Sequence, residues 1–114
     1  MSRDELICLQ DIAESCDRIV QYTAGLTQSD FIHDQKSYDA VVRNLEIIGE
    51  AAKHVPDSLR ACFPGIEWRK ITRMRDILSH VYFGIDNNIL WDVVQNKVPP
   101  LLAAISAYLR RSSE

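Results

Sequence analysis

The chain has 114 residues, 46% hydrophobic and 25% charged, a balance that suits one globular domain over 1–114 rather than a disordered or fibrous segment. A formal net charge of −3 argues against a protein that coats duplex nucleic acid through many phosphate contacts. Met1 to Glu5 carries acid charge and leads into no continuous apolar stretch, so neither a signal peptide nor a membrane span is expected, and a cytoplasmic chain fits.

The first helix is predicted over 2–22, with Ser2 and Glu5 as a capping box. Its apolar residues Leu6, Leu9, Ile12, Ala13, Cys16, Ile19 and Val20 follow the spacing of one buried stripe, and Gly25 ends it. Thr27, Ser29 and Asp30 open a short turn or helical piece carrying Phe31 and Ile32, with His33 in a polar loop. The second long helix starts near Asp34 or Lys36, and its apolar surface is wide enough to touch more than one neighbour, which makes it the central helix. Within it, Gly49 reads either as a close helix approach or as a tolerated interior glycine. His54 caps this helix and Pro56 terminates it. A single turn over 57–62 and a Pro64-Gly65 loop precede a third helix over 67–82.

The last region starts after Gly84, capped by Asp86 or Asn87, and is interrupted by Pro99-Pro100, which predicts a kink or a break before a final helix. Residues 112–114 are expected to be disordered. No strand pattern competes, so the fold class is all-α: an antiparallel bundle of four main helices with a kinked or broken last helix. A domain this small has little core, and an apolar face left over after folding would serve oligomerisation as a dimer or larger. The three cysteines, Cys8, Cys16 and Cys62, are odd in number and lie in apolar-periodic segments, as reduced core residues do. No metal site is expected, because no compatible histidine cluster accompanies them. Trp68 and Trp91 are read as core or interface residues.

The informative stretch is 68–84. Arg69, Lys70, Arg73 and Arg75 concentrate positive charge there, while acids populate the rest of the chain. At about 100° per residue, Ile71, Met74, Leu78 and Val81 form a buried stripe, and Arg69, Arg73, Asp76 and His80 form a polar one. Arg75 and Tyr82 share the border between the two, so Arg75 and His80 lie about 140° apart on an ideal helix. They converge on one phosphate only through local unwinding near Phe83-Gly84 or through a second subunit. Spacing alone also fits a plainer reading, a helix whose Arg75, Asp76 and His80 make surface ion pairs and a C-terminal cap.

Arg75, four residues, His80, one residue and Tyr82 resemble the signature of HEPN-superfamily ribonucleases, specifically the HepT branch. Residues 41–51, Val-Val-Arg-Asn-Leu-Glu-Ile-Ile-Gly-Glu-Ala, resemble that family's second-helix motif, and Tyr-Phe-Gly-Ile-Asp at 82–86 resembles the segment after its histidine. The resemblance implies a HEPN-like fold with the motif at a twofold interface, hence a homodimer or a higher assembly of dimers. It also implies a toxin of a type VII toxin–antitoxin module, a metal-independent endoribonuclease without cofactors. In such an enzyme the ribose 2′-hydroxyl attacks the adjacent phosphorus.

His80 suits general acid or base work near neutral pH, and Arg75 supplies a permanently charged fork for the phosphate oxygens. Tyr82 would orient substrate, Asp76 would orient His80 or an arginine across the interface, and Arg69, Lys70 and Arg73 would bind RNA. The implied partner is a nucleotidyltransferase antitoxin that adds AMP to Tyr82. The alternative function is a non-catalytic helical adaptor or nucleotide-binding partner of a nucleotidyltransferase.

Overall fold

Ser2 opens the first helix as expected: its hydroxyl accepts the Glu5 N–H, and the Glu5 carboxylate accepts the Ser2 N–H, each at 3.2 Å. The structure is a computed structural model that describes residues 1–80 and 84–112. Helix α1 runs over Arg3–Thr23 and ends before Gly25, whose φ of 76° is the left-handed conformation that favours glycine. A second capping box, Thr27 with Asp30, starts the short α2, Gln28–His33. His33 therefore lies in a helical turn and not in a loop, with Nδ1 2.8 Å from the Ser29 carbonyl oxygen. Asp34 then caps α3, Gln35–Lys53, by accepting from the Ser37 N–H and hydroxyl.

The cap at the other end of α3 differs from expectation in its chemistry. His54 closes the helix through its backbone N–H, while its exposed imidazole sits beside Glu50. Arg60, at the end of the single turn α4 (Asp57–Arg60), satisfies the late carbonyls instead. Its guanidinium donates to Ala52 and Val55 oxygens at 2.8 and 3.0 Å and lies 5.7 Å from the centre of the Trp68 ring. That contact ties the C-terminus of α3 to the start of α5, Trp68–His80. Trp68 is buried against Phe63, as a core tryptophan, and Trp91 packs half-buried on Phe31.

The expected kink or break at Pro99-Pro100 appears as an irregular turn just upstream of the prolines. Neither proline has an N–H to return to Gln95 or Asn96. The chain compensates upstream: after α6 (Asn87–Asp92), residues Val93–Lys97 widen into a π turn in which the Val98 N–H donates to the Val93 oxygen. Both prolines then sit in the first turn of α7, Val98–Ser112, where missing donors cost least. Ser112 is still helical, in contrast to the disorder expected there.

The described residues form helices and connecting turns without a strand, with α1, α3, α5 and the α6–α7 pair as the four main helical segments. α3 is central, with α1 packed on one side and α5 on another, and α1 in turn carries α7. Leu9, Ile12 and Ile19 of α1, Val41, Leu45 and Ile48 of α3, and Ile105 of α7 interlock as a core excluded from solvent. Cys16 lies in that core, and burial pushes its thiol up to about 12. Cys8 is half-buried and Cys62 exposed, so only one of the three cysteines is a core residue. No helix among the described residues is long and apolar enough to cross a membrane.

Candidate active site

Helix α5 is continuous from Trp68 to His80, and its expected stripes are present: Leu78 is buried, Ile71 and Met74 are half-buried, and Arg69, Arg73, Asp76 and His80 are exposed. Val81 and Tyr82, expected on the buried stripe and in the catalytic set, lie outside the described residues. Because the turn between Arg75 and His80 is regular α-helix, the two side chains leave the axis about 140° apart. His80 is the last residue of α5, and its side chain makes no hydrogen bond or ion pair among the described residues.

Arg75 faces the other way, toward α3. Its Nη2 is 3.1 Å from Glu50 Oε2, and its Nη1 donates to Asp76 Oδ1 at 3.2 Å. Asp76 Oδ1 also accepts from Lys53 Nζ at 2.9 Å. The Lys53 hydrogen bond, followed by that from Arg75, holds the Asp76 carboxyl below the ordinary carboxylate range. Within the chain Asp76 therefore serves Arg75 and Lys53.

The approach of the two helices is close enough to explain Gly49. A Cβ there would collide with Arg75 Cβ and would lie 2.9 Å from Arg75 Cγ and 3.2 Å from the Ile71 oxygen. The glycine thus marks a close helix approach, with the stem of Arg75 resting on the α3 backbone. Sequence reasoning missed Glu50 as a partner of this arginine and Lys53 as the residue that holds Asp76. The available signal was the pairing of two acids, Glu46 and Glu50, around that glycine with an arginine-rich helix elsewhere in the chain.

The remaining basic residues divide. Lys70 is paired with Glu67 at 2.7 Å, and that hydrogen bond lowers the Glu67 carboxyl. Arg69 and Arg73 are exposed and make no ion pair among the described residues, which leaves them open to an anionic partner. A depression of about 270 Å³ is lined by Arg43, His54 and Arg75 together with Asp11, Glu46 and Glu50, so its charge is mixed. The face of α5 that carries Arg69, Arg73 and His80 is the better surface for a polyanion. Among the described residues no group of three His, Cys, Asp or Glu side chains is arranged to hold a metal ion.

The family's sequence profile, ribonuclease HepT-like, matches residues 12–108, which include α5 and its Arg75–His80 spacing. The chain belongs to the HepT-like family. A probable ribonuclease HepT of Thermococcus cleftensis is 44% identical over 101 residues, 89% of this chain and 92% of that protein. A Methanocaldococcus jannaschii protein proposed to be an RNase is 42% identical over 97 residues, covering 85% of this chain and 80% of its own. Another, from Caldanaerobacter subterraneus, is 34% identical over 103 residues, 90% of this chain and 92% of its own. No solved structure matches.

Proposed function

We propose that this HepT-like chain is a cytoplasmic, metal-independent endoribonuclease, the toxin of a type VII toxin–antitoxin module. The observation that carries the reading is the placement of the motif: in a chain of a ribonuclease family, His80 stands exposed at the end of α5, one and a half turns beyond a held Arg75. An exposed imidazole can move a proton between the ribose 2′-hydroxyl, or the departing 5′-oxygen, and solvent. A guanidinium stabilises the charge that grows on the phosphate oxygens as the 2′-oxygen bonds to phosphorus and the 5′-oxygen leaves. Arg69, Lys70 and Arg73 bind the flanking RNA, and Tyr82 orients it.

One chain aims Arg75 and His80 apart, so the site is completed by a second copy in a homodimer or a larger assembly of dimers. Ile77, which follows the polar stripe on α5 and is 49% exposed, is the apolar residue such an interface would cover. The partner is a nucleotidyltransferase antitoxin that adds AMP to Tyr82, bringing bulk and negative charge into the RNA cleft. Co-expression with that enzyme and ATP is expected to raise the mass of the Tyr82 peptide; an unmodified peptide from a fully inhibited toxin would exclude this mode of control.

The test of the enzyme is RNA cleavage with end-group analysis. Wild-type chain should leave 2′,3′-cyclic phosphates with EDTA present, and His80→Ala should cut about 10²–10⁴-fold more slowly. Metal-dependent cleavage leaving other ends contradicts the mechanism. A second reading, a non-catalytic adaptor or nucleotide-binding partner of a nucleotidyltransferase, is favoured by one observation, the engagement of Arg75 by two carboxylates. Equal effects of wild type and His80→Ala on growth and RNA integrity would decide for it.

A further inference from the structure

The carboxylates on Arg75 come from two helices and take different nitrogens. Glu50 of α3 is at Nη2 and Asp76 of α5 is at Nη1, so the plane of the guanidinium is fixed at two points. Beneath it, Gly49 admits the Arg75 stem onto the α3 backbone and removes the space in which that stem could swing. His54 Nε2 lies 3.5 Å from the other oxygen of Glu50, Oε1. A guanidinium has five N–H donors, and two carboxylate contacts leave donors for a phosphate. The side chain also keeps 31% of its surface open, so the hold does not close the site.

We propose that Glu50, acting with Gly49 beneath it, is the positioning residue for Arg75, a role that rests on Arg75 being the phosphate-binding group. The pair is half exposed and contributes little to folding. What it supplies is direction: a flexible side chain is held in the orientation that meets the transition state, and a loss of about 1 Å in placement is enough to cost a large factor in rate. Lys53 assists by holding Asp76, the second carboxylate, at 2.9 Å.

The full-length chain is assayed on a mixed-sequence single-stranded oligoribonucleotide as wild type, Glu50→Ala, Glu50→Gln, Glu46→Ala and Arg75→Ala. Glu50→Ala is expected to lower kcat about 10- to 100-fold with KM within about threefold and an unchanged Tm. Glu50→Gln keeps an oxygen that accepts from the guanidinium and should restore most of the rate. Glu46→Ala removes an acid from the same depression without touching the arginine, and should match wild type. A Glu50→Ala chain with wild-type or higher kcat overturns the proposal, since higher turnover would make Glu50 a competitor of the phosphate.

If Arg75→Ala cleaves as well as wild type, it is the assignment of Arg75 that fails. The side-chain 15N resonances of Arg75 give a readout free of activity. Separate, slowly exchanging Nη signals in the wild type should collapse in Glu50→Ala, and signals that do not change overturn the positioning role even if no cleavage is detected.

Discussion

Helix α1 buries Leu9, Ile12, Cys16 and Ile19 completely, whereas the 13 residues of α5 bury only Trp68 and Leu78. Both helices are amphipathic, but α1 has neighbours in α3 and α7 while α5 packs chiefly on α3. A helix enclosed in this way is held by apolar burial, at roughly 25 cal/mol per Å², and its few polar positions are constrained by packing. A helix held along one side keeps a broad solvent face, and on α5 that face carries Arg69, Arg73, Asp76 and His80. Stability and the proposed chemistry thus fall to different helices, with α3 joining them: Leu45 and Ile48 belong to the core, Gly49 and Glu50 contact Arg75, and Lys53 holds Asp76.

That division is open to direct attack. The largest effect is expected on activity alone: the loss of about 10²–10⁴ in rate for His80→Ala amounts to about 3–5 kcal/mol of barrier, with no change in Tm because His80 is exposed. A matching fall in Tm would show that α5 shares the load of the bundle. The converse substitution, Leu45→Ala, removes a side chain only 1% exposed and should cost about 2–5 kcal/mol of stability in denaturant unfolding. Its remaining folded fraction should cleave RNA at the wild-type rate.

Gly49→Ala tests the junction between the two regions. The added Cβ meets the stem of Arg75, so a cost of about 1–3 kcal/mol from overpacking is expected despite the better helix propensity of alanine, together with lost activity. The smallest effect concerns pH. Asp76 is held below its usual value of 3.8 by Lys53 and Arg75, so its pairing is fully present above that value and is lost as pH falls through the lower folded value. An NMR titration of its carboxyl should have a midpoint below 3.8, and Lys53→Ala should move that midpoint upward.

Much of this architecture can be read from residue order. The Ser2–Glu5 box, the stripe from Leu9 to Ile19, the stop before Gly25 and the Asp34 and Asp86 caps are local devices, each set by residues within one turn of the chain. The same holds for the phase of α5, since helical periodicity alone separates Arg75 from His80. Where the reading departed from the structure, the cause was a compensation made elsewhere along the chain. Between the kink and the break left open at Pro99-Pro100 the chain takes a π turn at Val93–Lys97, and Arg60 reinforces the His54 cap by taking the Ala52 oxygen. Cys62 has an apolar setting in sequence and an exposed one in space.

The amino-acid order by itself determined the helices, their caps, the polar and apolar faces of α5, and the motif that places the chain among HepT-like proteins, because each depends on contacts or spacings within a few residues. Only the tertiary structure decided what Arg75 faces. Glu50, which pairs with it, and Lys53, which holds its second carboxylate Asp76, stand more than 20 positions earlier in the chain, and no periodicity links them to it. They meet because a glycine on one helix lets another come close, and the position of that crossing follows from the packing of the whole bundle.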